Sequence, residues 1–326
     1  MVQFFAKRIG VLLVTMLLVS FILFLTFEFS SGDQAISALG QFATKDELQR
    51  YRESYGLDRS FFARYFEWLG VGPNYKGEWS GLLEGNLGYS HLWRTPVNVF
   101  IWDRLRNTTI LAFIAFLIIA PFSVVFGVVA GMREGSILDR SISVLSTITT
   151  SVPEFATGVI LMTIFASGIL FPGILPGTAT LESGGDWSIA SQLVLPVATL
   201  TTYYLGYLVR MVRASMVEVM TRPYVRTAVL KGLPFRDVVM KHAMRNALIT
   251  PFTAILLQLN FLFTSVVVTE AIFGFPGFGR MIVDAALNRD VMTVEAATLF
   301  AVFVVVTSQI IGDFTYMLLN PRIRFT

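Results

Sequence analysis

The chain of 326 residues is 54% hydrophobic and only 14% charged, whereas soluble domains carry about a quarter charged residues. This composition indicates a membrane protein, and the absence of cysteine excludes disulfides, thiolate metal sites and a cysteine nucleophile in this chain. A net charge of +3 gives no support for binding to nucleic acid.

Apolar stretches of about twenty residues recur along the chain, and each is long enough to cross a hydrocarbon layer about 30 Å thick. The first stretch exceeds the apolar core of a signal peptide and has no convincing small-residue cleavage site after it, so it is predicted to be a span. The sequence therefore predicts an all-α integral membrane protein with about six transmembrane helices. These cover residues 9–29, 108–132, 141–170, 189–209, 247–269 and 294–319.

The distribution of basic residues predicts how these helices are oriented. If the N-terminus is cytoplasmic, the two short outer loops hold only Arg280 and Arg289, while the inner loops are rich in arginine and lysine. This bias agrees with an even number of spans and places both termini in the cytoplasm. The inner basic residues are Arg133, Arg140, eight residues from Arg210 to Arg245, Arg322 and Arg324.

The segment between the first two spans, residues 30–107, is predicted to be a small helical insertion on the extracytoplasmic side. Thr44 and Glu47 form a capping box ahead of a helix over 45–55, and Gly56 provides its stop. A second helix over 61–69 ends at Gly70. We expect the insertion to be a cap packed on the spans; direct contact with a ligand is the alternative. The chain is thus divided into a first span, 1–29, the insertion, 30–107, and a core domain, 108–326, with the other five spans and the segment 210–246.

The basic segment, residues 210–246, separates the fourth and fifth spans. Pro223 suits the first turn of a helix over 223–231, and Gly232 suits the left-handed position that ends it. Pro234 then opens another helix over 235–247. The sequence predicts a helix-turn-helix that projects into the cytoplasm, tethered by a span on each side, which argues against DNA binding.

The residues of this segment resemble the permease subunits of type I ABC importers, in the dipeptide, oligopeptide and nickel branch. That branch typically has Asp-Tyr-x-x-Thr-Ala-x-x-Lys-Gly-Leu followed by His-Ala-Leu-Arg-Asn-Ala-Leu-Ile. The general Glu-Ala-Ala motif of the superfamily is not present in full. Arg226, Thr227 and Ala228 stand at its three positions. Matching the branch are Tyr224, Thr227, Ala228, Lys231, Gly232, Leu233, His242, Ala243 and Arg245 to Ile249, with Met244 in place of Leu.

The resemblance extends through nearly the whole chain. Two departures are Gln34, where the family often has Pro, and Asn86, where it often has Asp, and both concern local turns. Further matches are Gly32-Asp33, Gly85 to Ser90, Pro96-Val97, Ser151 to Pro153, Glu270 to Phe273, Pro276 to Gly279 and Pro321 to Arg324.

The resemblance implies that the basic segment contains a coupling helix that docks on an ATPase subunit. Tyr224, Ala228 and Phe235 are expected to present apolar contacts, with Arg226 and nearby basic residues at the rim. The alternative is that the basic residues only hold topology and touch lipid headgroups. The predicted coupling residues are Tyr224, Arg226, Thr227, Ala228, Lys231, Gly232, Leu233, Pro234 and Phe235, rimmed also by Arg236.

The family also implies the partners and the energy source. No phosphate-binding G-x-x-x-x-G-K-[ST] loop occurs, so this chain is not expected to hydrolyse ATP or bind a cofactor. We expect a second, homologous permease subunit, two ATPase subunits that use ATP, an extracytoplasmic solute-binding protein and surrounding membrane lipid. The expected location is a bacterial or archaeal cell inner membrane, and the expected function is import of di- or oligopeptides by alternating access.

Other functions remain as alternatives. The same machinery carries oligosaccharides, opines or nickel in relatives, and an ATP-independent secondary transporter is a further alternative. An intramembrane enzyme is disfavoured because His91 is predicted outside and His242 inside, so they cannot share one buried site.

Glu154, next to Pro153 at a predicted break in the third span, is a candidate for the translocation path or for a helix cap. Gly127 and Gly131 form a close-packing G-x-x-x-G pair.

Overall fold

The computed structural model describes residues 2–30, 34–40, 42–74, 77–168, 173–181 and 188–319, most of which are helical. The part before the second span is made of short elements. They are α1 (Val2–Ser30), α2 (Gln34–Leu39), α3 (Lys45–Ser54), α4 (Phe61–Leu69), a 3₁₀ turn (Leu82–Glu84), β1 (Tyr89–Ser90) and β2 (Thr95–Pro96).

The rest of the described chain is helical, with longer elements. They are α5 (Val97–Gly131), α6 (Ile137–Ser151), α7 (Glu154–Phe165), α8 (Ile189–Met220), α9 (Pro223–Leu230), α10 (Phe235–Asp237), a π-helical turn (Val238–Ala243), α11 (Met244–Ala247), α12 (Ile249–Phe273), α13 (Phe278–Leu287) and α14 (Val291–Leu319).

Four of the described helices are long and apolar enough to cross a membrane, and two bent pairs raise the number of candidate spans to as many as six. The four are α1, α5, α8 and α14. In the bent pairs, α6 meets α7 at 103° and the end of α12 meets α13 at 74°. The prediction of an all-α integral membrane protein is confirmed.

The third predicted span, 141–170, is therefore not one straight helix. Val152 adopts an extended conformation, with φ −91° and ψ 126°, immediately before Pro153. A residue before proline is pushed out of the helical region by the proline ring, and this ends α6. The break expected at Pro153 is present.

Two spans begin or end well outside their predicted limits. α5 starts at Val97, eleven residues before the predicted 108, and α8 continues to Met220, eleven residues past the predicted 209. In both cases the extension is more polar than the rest of the helix, so hydropathy alone could not detect it. The first part of the basic segment is consequently a rigid continuation of α8.

The described chain forms two compact units. One unit contains the chain up to Leu105 together with Met281–Ile311, and the other contains Arg106–Arg280 with the end of α14 from Gly312. In the first unit, the β1–β2 hairpin is tied to the start of α14, because the Ser90 hydroxyl donates to the carboxylate of Asp290. This hairpin was not predicted.

The insertion helices form where their caps predict them. Thr44 N–H donates to Glu47 Oε2 at 2.8 Å, and Glu47 N–H donates to Thr44 Oγ1 at 3.3 Å, which is the expected capping box. The hydrogen bonds that Glu47 Oε2 accepts from Thr44 N–H and from the Thr44 hydroxyl, each 2.8 Å, hold the pKa of Glu47 below its usual value. α4 ends at Gly70 with φ +87° and lies against α1, where Tyr65 and Ser20 share a hydrogen bond of 2.8 Å. The insertion thus packs on the first span.

Candidate functional site

The first helix of the basic segment, α9, has well-defined ends. Pro223 occupies its first turn, where the missing N–H costs no hydrogen bond. After Lys231, Gly232 has φ +72°; its N–H donates to Val229 O at 2.9 Å, and Leu233 N–H donates to Ala228 O at 3.4 Å. These two bonds are those of a Schellman motif. The predicted left-handed glycine is confirmed, and α9 ends one residue earlier than predicted.

The second helix of the segment follows directly. Pro234 precedes α10, and α10, the π-helical turn and α11 run on to Ala247, close to the predicted 235–247. The π-helical turn was not predicted, because no local residue pattern distinguishes it from an α-helix. π-Helical turns occur often at functional sites, since the inserted residue changes the direction of the side chains around it.

One face of the two helices is buried against the spans of the same unit. Val225 and Ala228 of α9 join Val238, Val239 and Ala243 of the second helix. The remaining buried members of this cluster are Val128 of α5, Val212 and Met216 of α8, and Ala247. The expectation that Ala228 presents an outward contact is wrong: its side chain is 5% exposed, because it lies three residues from Val225 on the inner face of α9.

The opposite face is open and mixes apolar with basic side chains. Tyr224 is 41% exposed and Phe235 46%, as predicted, and Leu230, which the sequence analysis did not select, is 79% exposed. Arg226, Lys231 and Arg236 are exposed around them. Leu230 occupies an unspecified position of the family motif, so the motif does not identify it; its place opposite Val225 and Ala228 on the helical wheel does. Thr227, Gly232, Leu233 and Pro234 are also exposed.

Polar contacts hold the segment in place. Asn246 Nδ2 donates to the Tyr224 hydroxyl at 3.0 Å, which joins α11 to α9. Ser215 Oγ donates to Ala247 O at 2.7 Å, which joins α8 to the end of α11. Thr227 Oγ1 donates to Pro223 O at 3.0 Å within α9. The turn between the helices is therefore fixed at its base, while its tip is exposed.

α8, which leads into the basic segment, packs closely against α5 and α6. A side chain at Gly127 would lie 2.9 Å from Val209 O, and one at Gly131 would lie 2.9 Å from Arg213 O, so the glycine pair brings α5 close to α8. Arg213 of α8 also binds the buried carboxylate of Asp139 of α6 in a bidentate manner, with Nη2 at 2.8 Å from Oδ2. These contacts join α5, α6 and α8 to one another beside the basic segment.

Glu154, the candidate for the translocation path, is the first residue of α7 and is half-buried. Its Oε1 accepts a hydrogen bond of 2.6 Å from Thr269 Oγ1 of α12. The structure thus places Glu154 at the corner of the bent pair of helices, in contact with α12 rather than with the basic segment. Its role in transport stays a prediction.

The buried carboxylate of Glu270 was not predicted to have a structural role. Glu270 is fully buried near the end of α12 and accepts hydrogen bonds from the Thr108 hydroxyl and from Arg280 N–H at 2.9 Å. Thr108 Oγ1 in turn accepts from Phe278 N–H at 2.8 Å. This network fixes the bend between α12 and α13. An acidic residue at the end of a long apolar stretch was the available signal.

The described residues contain no group of three or more His, Cys, Asp or Glu side chains that could hold a metal ion.

Comparisons with known proteins agree with this architecture. The family model described as binding-protein-dependent transport system inner membrane component matches residues 123–325, and the model of the N-terminal part of such membrane components matches residues 1–112. The chain is 34% identical over 322 residues to a putative peptide transport system permease protein of Brucella abortus, covering 98% of both chains.

Two further relatives are similar over nearly their full length. A di/tripeptide transport system permease protein of Pseudomonas aeruginosa is 31% identical over 345 residues, covering 99% of each chain. An oligopeptide transport system permease protein of Bacillus subtilis is 30% identical over 308 residues, covering 93% of each chain.

Proposed function

We propose, from the premise that this chain belongs to the family of binding-protein-dependent transport system inner membrane components, that it is the permease subunit of an importer for di- or oligopeptides. The several apolar helices are those of a multi-pass inner-membrane protein. Support for peptides as the solute comes from the names of relatives that align with the chain from end to end.

The observation that carries the mechanism is the two-sided construction of the basic segment. Its inner face is buried against α5 and α8, and its outer face exposes Tyr224, Leu230 and Phe235 among arginines and lysines. An apolar patch with a polar rim is the usual composition of a protein–protein interface. We assign this face to the docking of an ATPase subunit on the cytoplasmic side.

In this proposal the chain itself does not hydrolyse ATP. Two separate ATPase subunits bind and hydrolyse it, a second, homologous permease subunit completes the translocation path, and an extracytoplasmic binding protein delivers the solute. Closure of the ATPase pair moves the basic segment, and the rigid junctions to α5, α6 and α8 convert this movement into alternating access.

The test is uptake of a radiolabelled dipeptide into proteoliposomes that contain the complete complex, with the binding protein outside and ATP at the ATPase face. We expect accumulation with ATP, none with ADP, and none with the two permease subunits alone. Equal accumulation by vesicles that lack the ATPase subunits would refute the importer mechanism and favour a secondary transporter.

Glu154 is the residue that we assign to the translocation path, because its half-buried carboxylate lies at a 103° corner between α6 and α7. Replacing it by glutamine keeps the size and a hydrogen-bonding partner for Thr269 but removes the charge. We expect Glu154→Gln to change the KM of dipeptide uptake several-fold while leaving ATPase subunits bound. The matched control is Glu134→Gln in the loop before α6. An unchanged KM and maximal rate would remove Glu154 from the path.

A further inference from the structure

A cavity of about 220 Å³ lies within the unit that contains the insertion. Side chains from α1, α4 and α14, from the residues that follow α3 and from the turns before β1 surround it. Those that decide its chemistry are Phe24, Tyr55, Arg64, Glu67, Trp68 and Glu295. Because a water molecule occupies about 30 Å³ of liquid, the cavity holds a group of roughly seven water volumes, about the size of one amino-acid side chain.

Two of the acidic groups near the cavity are already neutralised. Arg64 binds the carboxylate of Glu28, and Arg59 Nη1 lies 2.7 Å from Glu67 Oε2. Each pair contributes one positive and one negative charge. Arg64 is therefore not a free cation available for an anionic ligand.

Glu295 is different, because its side chain borders the cavity without a partner. It is 3% exposed and makes no hydrogen bond or ion pair within the described part of the chain. The charged group that acts on it most is another carboxylate, Glu28. A buried carboxyl group without a partner favours its uncharged, protonated form, and a cation in the cavity stabilises the carboxylate instead. The site therefore takes up one positive charge, either as a proton on Glu295 or as a cation beside it.

The walls of the cavity favour an organic cation. The rings of Phe24 and Trp68 lie 5.7 Å apart at an angle of 38°, and together with Tyr55 they give the cavity an aromatic side. Aromatic faces attract ammonium groups, and tryptophan does so most strongly. A calcium ion would require six or more oxygen ligands, whereas Glu295 supplies the one carboxylate that is not already paired.

We propose that this cavity binds a primary ammonium group carried on a small apolar body. Glu295 provides the counter-charge, and Trp68 and Phe24 contact the ammonium group and the apolar carbon atoms next to it. The site belongs to the unit that contains the insertion and is not formed by the basic segment.

The test uses the purified full-length chain in detergent, with benzylammonium as the probe and benzyl alcohol as its uncharged counterpart, and measures binding by titration calorimetry. We expect saturable binding of benzylammonium and binding of benzyl alcohol at least about tenfold weaker. Absence of benzylammonium binding at millimolar concentration, or equal binding of the two compounds, overturns the proposal.

Variants assign the binding to this cavity. Glu295→Gln should weaken benzylammonium binding by about tenfold or more, and Trp68→Leu by about threefold. Glu78→Gln removes an exposed carboxylate from the same unit and should leave binding unchanged. If Glu295→Gln does not fold, which its thermal unfolding would show, the Trp68→Leu variant decides. Wild-type affinity in a folded Glu295→Gln protein, or in Trp68→Leu, overturns the proposal. The measurement needs no ATPase or binding protein, so a negative result leaves the importer function untouched.

Discussion

The insertion and the basic segment share one local feature, but its surroundings differ between the two regions. In each, a short helix ends at a left-handed glycine, Gly70 after α4 and Gly232 after α9, with φ of +87° and +72°. The surroundings of the two glycines differ. A side chain at Gly70 would lie 3.3 Å from Leu83 N, whereas one at Gly232 would have no atom within 4 Å.

The turn at Gly70 is therefore packed against other backbone, whereas the turn at Gly232 is exposed. At Gly70 the chain folds back on itself, because Gly81 lies directly against the backbone of Gly70. Both conformation and space require glycine there. At Gly232 conformation alone requires it, and the space around the turn is open to a partner. We therefore expect substitutions in the first region to disturb folding, and those in the second to disturb transport while the protein remains folded.

The largest effect is expected at Gly81. A methyl group there would meet the backbone of Gly70 and would lie 2.7 Å from Glu67 O, and neither backbone can move without displacing α4. Gly81→Ala should destabilise the insertion by about 3 kcal/mol, the upper part of the range for overpacking. Thermal unfolding and limited proteolysis of the purified chain measure this. Gly72→Ala, which has no neighbour within 4 Å, is the control; equal behaviour of the two variants would show that the corner is not rigid.

Gly232→Val should have the next largest effect, and on transport rather than stability. A β-branched residue at positive φ costs about 1 to 3 kcal/mol locally, which is enough to reshape the turn without unfolding the membrane helices. Abundance in the membrane should stay near normal, while dipeptide uptake and solute-stimulated ATP hydrolysis both fall by about tenfold. The measurement is made in proteoliposomes with equal amounts of wild-type and variant complex.

A matched control for this variant is Gly85→Val. Gly85 also has a positive φ, +82°, and no neighbour within 4 Å, but it lies in the insertion. It carries a similar conformational cost outside the segment that we assign to ATPase docking. Wild-type uptake and ATP hydrolysis in Gly232→Val would disprove the coupling role of the turn.

The two regions also show what the sequence could and could not predict. Capping residues and glycines act through the backbone of their own turn, so α3, α4 and α9 were predicted to within one residue, and so was the conformation of Gly232. The side on which a residue is buried depends on distant partners. Ala228 was expected to face outward, but the cluster that buries it includes Val128, which lies one hundred residues earlier in the chain. Its own turn therefore could not reveal the inward orientation.

The same reason explains the polar contacts that were missed. Asp139 and Arg213 are 74 residues apart, and Thr108 and Glu270 are 162 apart. Each residue alone is an unremarkable polar group near the end of an apolar helix. Only packing of the helices brings the partners together, so such pairs cannot be read from a single sequence. The family resemblance, by contrast, rested on short runs of neighbouring residues in the basic segment and elsewhere along the chain, and it is confirmed.

A smaller effect is expected from Tyr224→Phe. The substitution removes the hydroxyl that accepts the hydrogen bond from Asn246 but keeps the exposed ring. Loss of such a bond costs about 1 kcal/mol, so ATP hydrolysis coupled to uptake should fall by less than about fivefold, with normal assembly. Tyr207→Phe in α8 removes an exposed tyrosine hydroxyl outside the segment and serves as the control. A loss as large as that of Gly232→Val would mean that the hydroxyl of Tyr224, and not only its ring, contacts the ATPase.

The smallest effect is expected from Arg226→Ala, because Arg226 is an exposed rim charge on α9. Exposed ion pairs contribute about 1 kcal/mol or less and are screened by salt, so the variant should bind ATPase subunits slightly more slowly at low ionic strength and equally well at high salt. Rim charges act mainly on the association rate, so dissociation should be unchanged. Association rates of the ATPase with immobilised permease complex, measured across a salt series, test this, and Arg226→Lys should restore the rate. A faster dissociation that persists at high salt would instead place Arg226 inside the buried part of the interface. The docking face on α9 would then include Arg226 as well as the exposed apolar residues.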